Sequence, residues 1–126
     1  MMSDRLMLAF ETEIQCGEAL MAYGDFDGAF RHFERAHVLS QRHTAPHVRA
    51  HWAMLRVGWI NRDAREILGQ IARIPAALLF SRLWVPVGNT GGANVSAFKP
   101  MAIPGDLAEI LNEELASYAA SGRQRR

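Results

Sequence analysis

Five histidines of this 126-residue chain fall between positions 32 and 51, and two short patterns there could hold a metal ion. Glu34 and His37 are three residues apart, while His47 and His51 are four apart. Side chains at these spacings share one face of a helix. A Glu-x-x-His pair on a helix is also the ligand pattern of carboxylate-bridged di-iron bundles. The spacing therefore predicts a site made of carboxylates and imidazoles.

The apolar periodicity around these residues indicates that they face inward. His37 falls in line with Phe30 and Phe33 on the apolar side of a predicted second helix. His47 and His51 begin a stripe that continues along a third helix. A short turn near residues 42–44 makes these two helices antiparallel neighbours, so we expect the imidazoles to converge.

The first helix could add a carboxylate to the same point. Glu13 follows Leu6 and Phe10 on the inner side of that helix, with Glu11 as the neighbouring alternative. A ligand set of nitrogen and carboxylate oxygen without thiolate suits Fe, Mn, Zn or Cu. Only one Glu-x-x-His is present, which leaves a single-metal site open in place of a two-metal bridge. The predicted metal ligands are Glu13, Glu34, His37, His47 and His51.

A structural alternative stays open at this point. Buried polar networks can fix the register of helices without binding a metal. Histidines on helix faces often bond to nearby carboxylates or carbonyls, and Glu34 could pair with a neighbouring arginine such as Arg31 or Arg35.

Capping residues and helical stripes predict an all-α bundle of about five helices. The expected N-caps are Ser3, Asp25, Thr44, Asp63 and Asp106. Asp63 with Glu66, and Asp106 with Glu109, have the spacing of a capping box. Pro75 is expected to end or kink the fourth helix. One long, ordered loop rich in glycine and proline, Val85 to Pro104, should pack Val95, Phe98 and Met101 against the bundle.

The bulk composition indicates one domain over residues 1–126, with a core of about 4–120 and a frayed basic tail at 121–126. Hydrophobic residues make up 49% and the net charge is +1, so neither nucleic acid nor a membrane surface is favoured as a partner. Cys16 is the sole cysteine, which excludes an internal disulfide and thiolate zinc fingers. The N-terminal region has no long apolar run after a basic start, and a cytoplasmic location is expected.

Three segments carry a resemblance to a known family. They are Glu34-Arg35-Ala36-His37, His47 to Trp52, and the glycine-rich stretch Gly88 to Ser96. Here the chain resembles a bacterial family catalogued as domain of unknown function 3703, from about Phe10 to about Leu111. The resemblance implies identity with that family and carries no activity to transfer.

Three functions remain in competition from the sequence. The leading hypothesis is a metal-binding bundle: a small metalloenzyme, a sensor or a carrier. The alternative is a non-catalytic interaction module, because Ala19 to Ala36 is similar to one tetratricopeptide hairpin. The third is a small-molecule binder that uses the Gly88 loop as a lid. Whether the chain catalyses a reaction, or pairs with a copy of itself or another protein, stays open.

The tryptophans are expected in the core or an interface: Trp52, Trp59 and Trp84.

Overall fold

A computed structural model of the chain describes residues 1–124. These residues form five α-helices and no strand, so the predicted all-α bundle is confirmed. The helices are α1 (Asp4–Ala22), α2 (Phe26–Ser40), α3 (Thr44–Ile60), α4 (Ala64–Phe80) and α5 (Gly105–Gln124). No helix in the described part of the chain has both the length and the apolar character needed to cross a membrane.

Two helical hairpins form the body of the bundle. In the first, α1 packs on α2 around Phe10 and Phe33, which are fully buried. Gly17 allows this close approach, because a Cβ at that position would lie 2.4 Å from the Phe33 ring. In the second, α3 packs on α4, and α2 packs on α3 to join the hairpins. Helix α5 closes the first hairpin, with Leu107 buried in the same core.

Three of the predicted N-caps are confirmed and two are wrong. Ser3, Asp25 and Asp63 each accept a hydrogen bond from a backbone N–H of the first turn. Thr44 is instead the first residue of α3, because the His47 N–H donates to the carbonyl of residue 43 and begins the helix one residue earlier. Asp106 lies inside the first turn of α5 and forms an ion pair with α2 through Arg35.

Pro75 neither ends nor divides α4, which runs unbroken from Ala64 to Phe80. Proline removes the hydrogen bond to the carbonyl four residues earlier, here that of Ile71. Both residues lie on the exposed face of α4, where water can hydrate the carbonyl that lacks its donor. Exposure is therefore the reason that the helix tolerates this proline.

The segment between α4 and α5 contains no helix, and Gln41 is one of the side chains that tie it to the end of α2. Gln41, which follows α2, donates from Nε2 to the carbonyl of Pro86 at 3.0 Å. Its Oε1 accepts from the N–H of Gly88 at 2.9 Å. We call residues 81–104 the connecting loop. Gln41 thus fixes the start of this loop against the end of α2.

Asn89 fixes the loop to itself. This side chain is 2% exposed, and its Nδ2 donates to the carbonyls of Ser96 and Lys99, each at 2.7 Å. Its Oδ1 accepts from the N–H of Gly91 at 2.9 Å. A single buried amide therefore holds the turn at residues 88–92 in one shape.

Exposure varies among the side chains that were expected to pack on the bundle, in the core or in an interface. Phe98 is 75% exposed, because it borders a surface cavity and not the core. Val95 and Met101 are half-buried. The three tryptophans are more than half exposed, which removes them from the core: Trp52, Trp59 and Trp84. The predicted frayed tail is helical as far as Gln124, and residues 125–126 lie outside the described part of the chain.

The capping pattern gives a matched pair of stability predictions. Asp25→Ala removes the acceptor of the Gly28 N–H and should cost about 1 kcal/mol of unfolding free energy. Thr44→Ala should change it by less than about 0.5 kcal/mol, because no side chain caps α3. Urea unfolding followed by circular dichroism measures both. Equal losses for the two variants would contradict this account.

Candidate metal centre

Three buried histidines meet where α2 and α3 lie side by side. His37 lies near the end of α2, and His47 and His51 lie in the first two turns of α3. Their exposed fractions are 3%, 6% and 3%. The Nε2 atom of His37 is 2.8 Å from that of His47 and 3.2 Å from that of His51. The Nε2 atoms of His47 and His51 are 3.2 Å apart. The predicted convergence of these imidazoles is therefore confirmed.

The other nitrogen of each ring points outward to an oxygen of the protein. The Nδ1 of His37 is 2.8 Å from the carbonyl oxygen of Asn89. The Nδ1 of His47 is 2.7 Å from Oγ of Ser81, which follows α4. The Nδ1 of His51 is 2.6 Å from Oε1 of Gln70 in α4. Each imidazole is thus held at one end by a separate partner.

These partners determine which ring nitrogen carries the proton. A backbone carbonyl such as that of Asn89 can only accept. The Ser81 hydroxyl donates its own hydrogen to the carbonyl of Ala77, so its oxygen accepts from His47. The Gln70 amide nitrogen donates to the carbonyl of Gly91 at 2.8 Å, which leaves Oε1 as the acceptor for His51. All three rings therefore carry their proton on Nδ1.

A neutral imidazole protonated on Nδ1 has a lone pair on Nε2. The three Nε2 atoms consequently face one another as acceptors, with no proton left among them to share. Metal-binding histidines show the same pattern: one nitrogen binds the ion, and the other donates to an oxygen that orients the ring. The arrangement is therefore compatible with a cation bound by the three nitrogens.

The spacing of the nitrogens fits one ion on one side of their plane. An ion about 2.0–2.1 Å from each nitrogen requires nitrogens roughly 2.9 Å apart for octahedral geometry and roughly 3.3 Å apart for tetrahedral geometry. The observed separations of 2.8 to 3.2 Å cover this range apart from its upper end. The three imidazoles would occupy one face of the ion and leave the opposite face open.

Burial keeps these rings in the form that binds metal. Desolvation, and after it the neighbouring His51, lower the pKa of His47 to about 3. Desolvation also lowers the pKa of His51 to about 4. The pKa of His37 is lowered well below its ordinary value, first by desolvation and then by the other two rings. All three are neutral at pH 7, as metal ligation requires.

The connecting loop approaches the site closely at Gly91. This residue has a φ of +83°, a conformation that residues with a side chain rarely adopt. A Cβ here would lie 2.6 Å from Cδ2 of His37. Glycine is therefore needed both for the turn and for the contact with the ring.

The two predicted carboxylates are not among the converging groups. Glu13 accepts from Nδ1 of His32 at 2.7 Å and from Nε of Arg35 at 2.8 Å, on the outer side of α2. Glu34 is half-buried, and desolvation followed by the nearby Glu66 raises its pKa to about 7. Among the described residues, one set of three or more His, Cys, Asp or Glu side chains has its ligand atoms within 4.8 Å of one another, and that set is the three histidines.

Sequence reasoning missed the residues that orient the rings. Gln70, Ser81 and Asn89 were not singled out. Glu66 was expected to reach back as half of a capping box; its carboxylate instead accepts from the Ala93 N–H and from Gln70. A signal was present, since Glu66, Gln70 and Ala77 lie at helical spacing on one buried stripe. Two polar residues in such a stripe indicate a buried network.

A cavity of about 480 Å³ adjoins the site. The three histidines form part of its wall, together with residues of α4 and of the connecting loop. Most of the wall is apolar, and the cavity is partly open to solvent. A small molecule placed there would be next to the imidazoles.

Comparison with known proteins identifies the family. The family model described as Protein of unknown function (DUF3703) matches residues 4–111, and the chain therefore belongs to that family. No curated protein and no solved structure matches the chain. The matched segment contains the three histidines and all three of their Nδ1 partners.

The lowered pKa values predict how pH affects the metal-free protein. Between pH 6.5 and about 4, His47 and His51 bind protons in the unfolded chain but stay neutral in the folded protein. Acidification therefore favours unfolding. Glu34 acts oppositely, because its raised pKa lets the folded state bind a proton between about pH 7 and 4.5. Three histidines outweigh one carboxyl, and we expect the thermal midpoint to fall from pH 7 to pH 5.

Differential scanning calorimetry in the presence of a chelator measures this shift. Glu34→Gln removes the opposing group and should make the decline between pH 7 and pH 5 steeper. A midpoint that rises on acidification would show that the histidines are not held neutral.

Proposed function

We propose that this member of the DUF3703 family binds one transition-metal ion through Nε2 of His37, His47 and His51. The observation that carries the proposal is the oxygen that faces Nδ1 of each of the three rings. Each Nδ1–H is taken by an oxygen outside the cluster, so that three lone pairs face one point. Like dipole ends at this distance repel one another, and a cation between them turns that repulsion into attraction.

The competing interpretation is a polar network that only fixes helix register. Such a network needs a proton between at least two of the Nε2 atoms. Supplying one requires either a charged imidazole or a ring that gives up its Nδ1 partner. The lowered pKa values oppose a charged imidazole. A ring that loses its Nδ1 hydrogen bond would leave a buried oxygen without a donor. The metal-binding interpretation needs neither.

The chemistry of the ligands narrows the choice of ion. Three imidazoles suit Zn, Fe, Ni or Cu, whereas Mn prefers sites with carboxylate and water. Square-planar Cu(II) does not suit three ligands on one face of the ion. Zn²⁺ is the first choice, because it has no geometric preference of its own and tolerates the observed spacing. Fe²⁺ is the second.

The open side of the site favours a catalytic role over a structural one. Structural zinc sites are closed by four protein ligands, while catalytic sites keep three and leave a position for water or substrate. Here the three histidines border a cavity of about 480 Å³. The ion would supply Lewis acidity to a molecule in that cavity. We therefore propose a small metalloenzyme, ahead of a sensor or a carrier.

Metal content tests the site, with a control that the chain itself offers. His51→Ala should lower bound Zn²⁺ from about one per chain to near zero, because two imidazoles hold zinc far more weakly than three. His32→Ala is the matched control: this helical histidine bonds to Glu13 outside the cluster and should retain full occupancy. Elemental analysis of tag-free protein, dialysed after loading with ZnSO₄, measures the occupancy.

Two outcomes would overturn the proposal. One is wild-type protein that holds no Zn²⁺ or Fe²⁺ after loading; the other is equal occupancy in the two variants. Circular dichroism of His51→Ala accompanies the measurement. If that variant unfolds, titration of wild-type protein with Co²⁺ decides, because four- or five-coordinate cobalt absorbs visible light far more strongly, and at longer wavelength, than the aqueous ion.

A second candidate function is protein binding, favoured by one observation. Apolar side chains lie exposed along one face of α4: Leu68 at 68%, Ile71 at 54% and Leu78 at 62%. Exposed apolar patches mark interaction surfaces. Self-association through this face should give a dimer in light scattering, and Leu78→Glu should dissociate it without changing zinc content. Monomeric wild-type protein would remove self-association from consideration.

A further inference from the structure

We infer that the cavity beside the three histidines takes a small organic carboxylate, which Arg73 holds next to the metal ion. The inference rests on the proposed function, because the ion supplies half of the recognition. It follows from one unusual side chain, from the sum of charges around the cavity and from the apolar wall.

Arg73 reaches the cavity from α4 with one hydrogen bond unmade. Its Nη2 donates to the carbonyl of Val95 at 2.9 Å. Its Nε is buried and, among the described residues, is the one buried side-chain nitrogen or oxygen with no hydrogen-bond partner. A buried donor without an acceptor is costly. Arg73 also lines the cavity, so its guanidinium can donate a charge-assisted hydrogen bond to an acceptor on a bound molecule.

The charges around the cavity favour an anion. Neutral imidazoles leave the full charge of a divalent ion in place. The Arg73 guanidinium adds to that charge, and its positive field reaches the histidines, since it lowers the pKa of both His37 and His51. Glu66 offsets part of this field, since its charge raises the pKa of Arg73, but a divalent ion still leaves the site positive. A carboxylate would neutralise part of the remaining charge.

The position of Arg73 also argues against a site that merely stores metal. A guanidinium close to three metal ligands repels the ion and weakens its binding. A storage or structural site gains nothing from this repulsion. A site that binds an anion beside the ion gains attraction from both cations. The arginine therefore indicates that the ion acts together with a negatively charged ligand.

The remaining residues of the cavity wall indicate the size and the apolar character of that ligand. Ala72 and Ala76 of α4 line the cavity, with Phe80 at the end of this helix and Phe98 from the connecting loop. A volume of about 480 Å³ lies near the lower end of ligand pockets. The wall thus suits a short-chain or single-ring monocarboxylate, with its apolar part against these side chains.

Benzoate and benzamide are the test probes, since they share size and shape and differ in charge. Isothermal titration of zinc-loaded wild-type protein should give affinity for benzoate at least about tenfold higher than for benzamide. Arg73→Gln should lower benzoate affinity by about tenfold or more and retain zinc. Arg65→Gln, on the exposed surface of the same helix and away from the cavity, is the matched control and should change neither.

The outcomes separate this inference from the proposed function. If zinc binds and benzoate is no better than benzamide, or Arg73→Gln binds benzoate as well as wild type, the inference is wrong and the metal site stands. If wild-type protein binds no zinc, the proposed function fails. The same titration on metal-free protein then decides the role of Arg73: benzoate binding that Arg73→Gln abolishes supports it, and no binding overturns it.

Discussion

The hydrogen bond at Nδ1 of each clustered histidine is the constraint on which the rest of the site depends. Without those three outer acceptors, the rings could exchange protons among themselves and form an ordinary buried network. With them, every Nε2 is left as an acceptor facing two others. Burial keeps the rings neutral, while their orientation and the proposed capacity to hold a cation follow from these three outer hydrogen bonds.

The connecting loop supplies hydrogen-bond acceptors that the helices cannot offer to the buried rings. Carbonyls inside a helix already accept hydrogen bonds from the next turn, so a helix has few strong acceptors to offer a buried ring. A loop has unused carbonyls. Asn89 gives one to His37 and Gly91 gives one to Gln70, which in turn orients His51. Gly91 lets the backbone of the loop come close to the His37 ring, and the side-chain amide of Asn89 holds the loop in that position.

Local periodicity predicted the helices, most of their caps and the convergence of the histidines, because each depends on residues within a few turns of one another. The prediction that carboxylates converge with the histidines was wrong for a different reason. Glu13 has the right spacing for the inner face, but His32 and Arg35 on α2 both bond to its carboxylate. Gln70 and Asn89 could not be assigned to the rings from spacing, because their contacts join positions 19 to 52 residues apart. Such pairings depend on how the hairpins dock.

The separation between ligands and their orienting partners sets an order of events during synthesis. All three imidazoles are present once residue 51 has been made, yet the oxygens that direct their protons come from Gln70, Ser81 and Asn89. A nascent α2–α3 hairpin emerging from the ribosome therefore has the ligands without their preferred tautomers. In the proposed metal site, high-affinity loading would begin only after the loop has docked, and the ion would enter through the cavity of the folded protein.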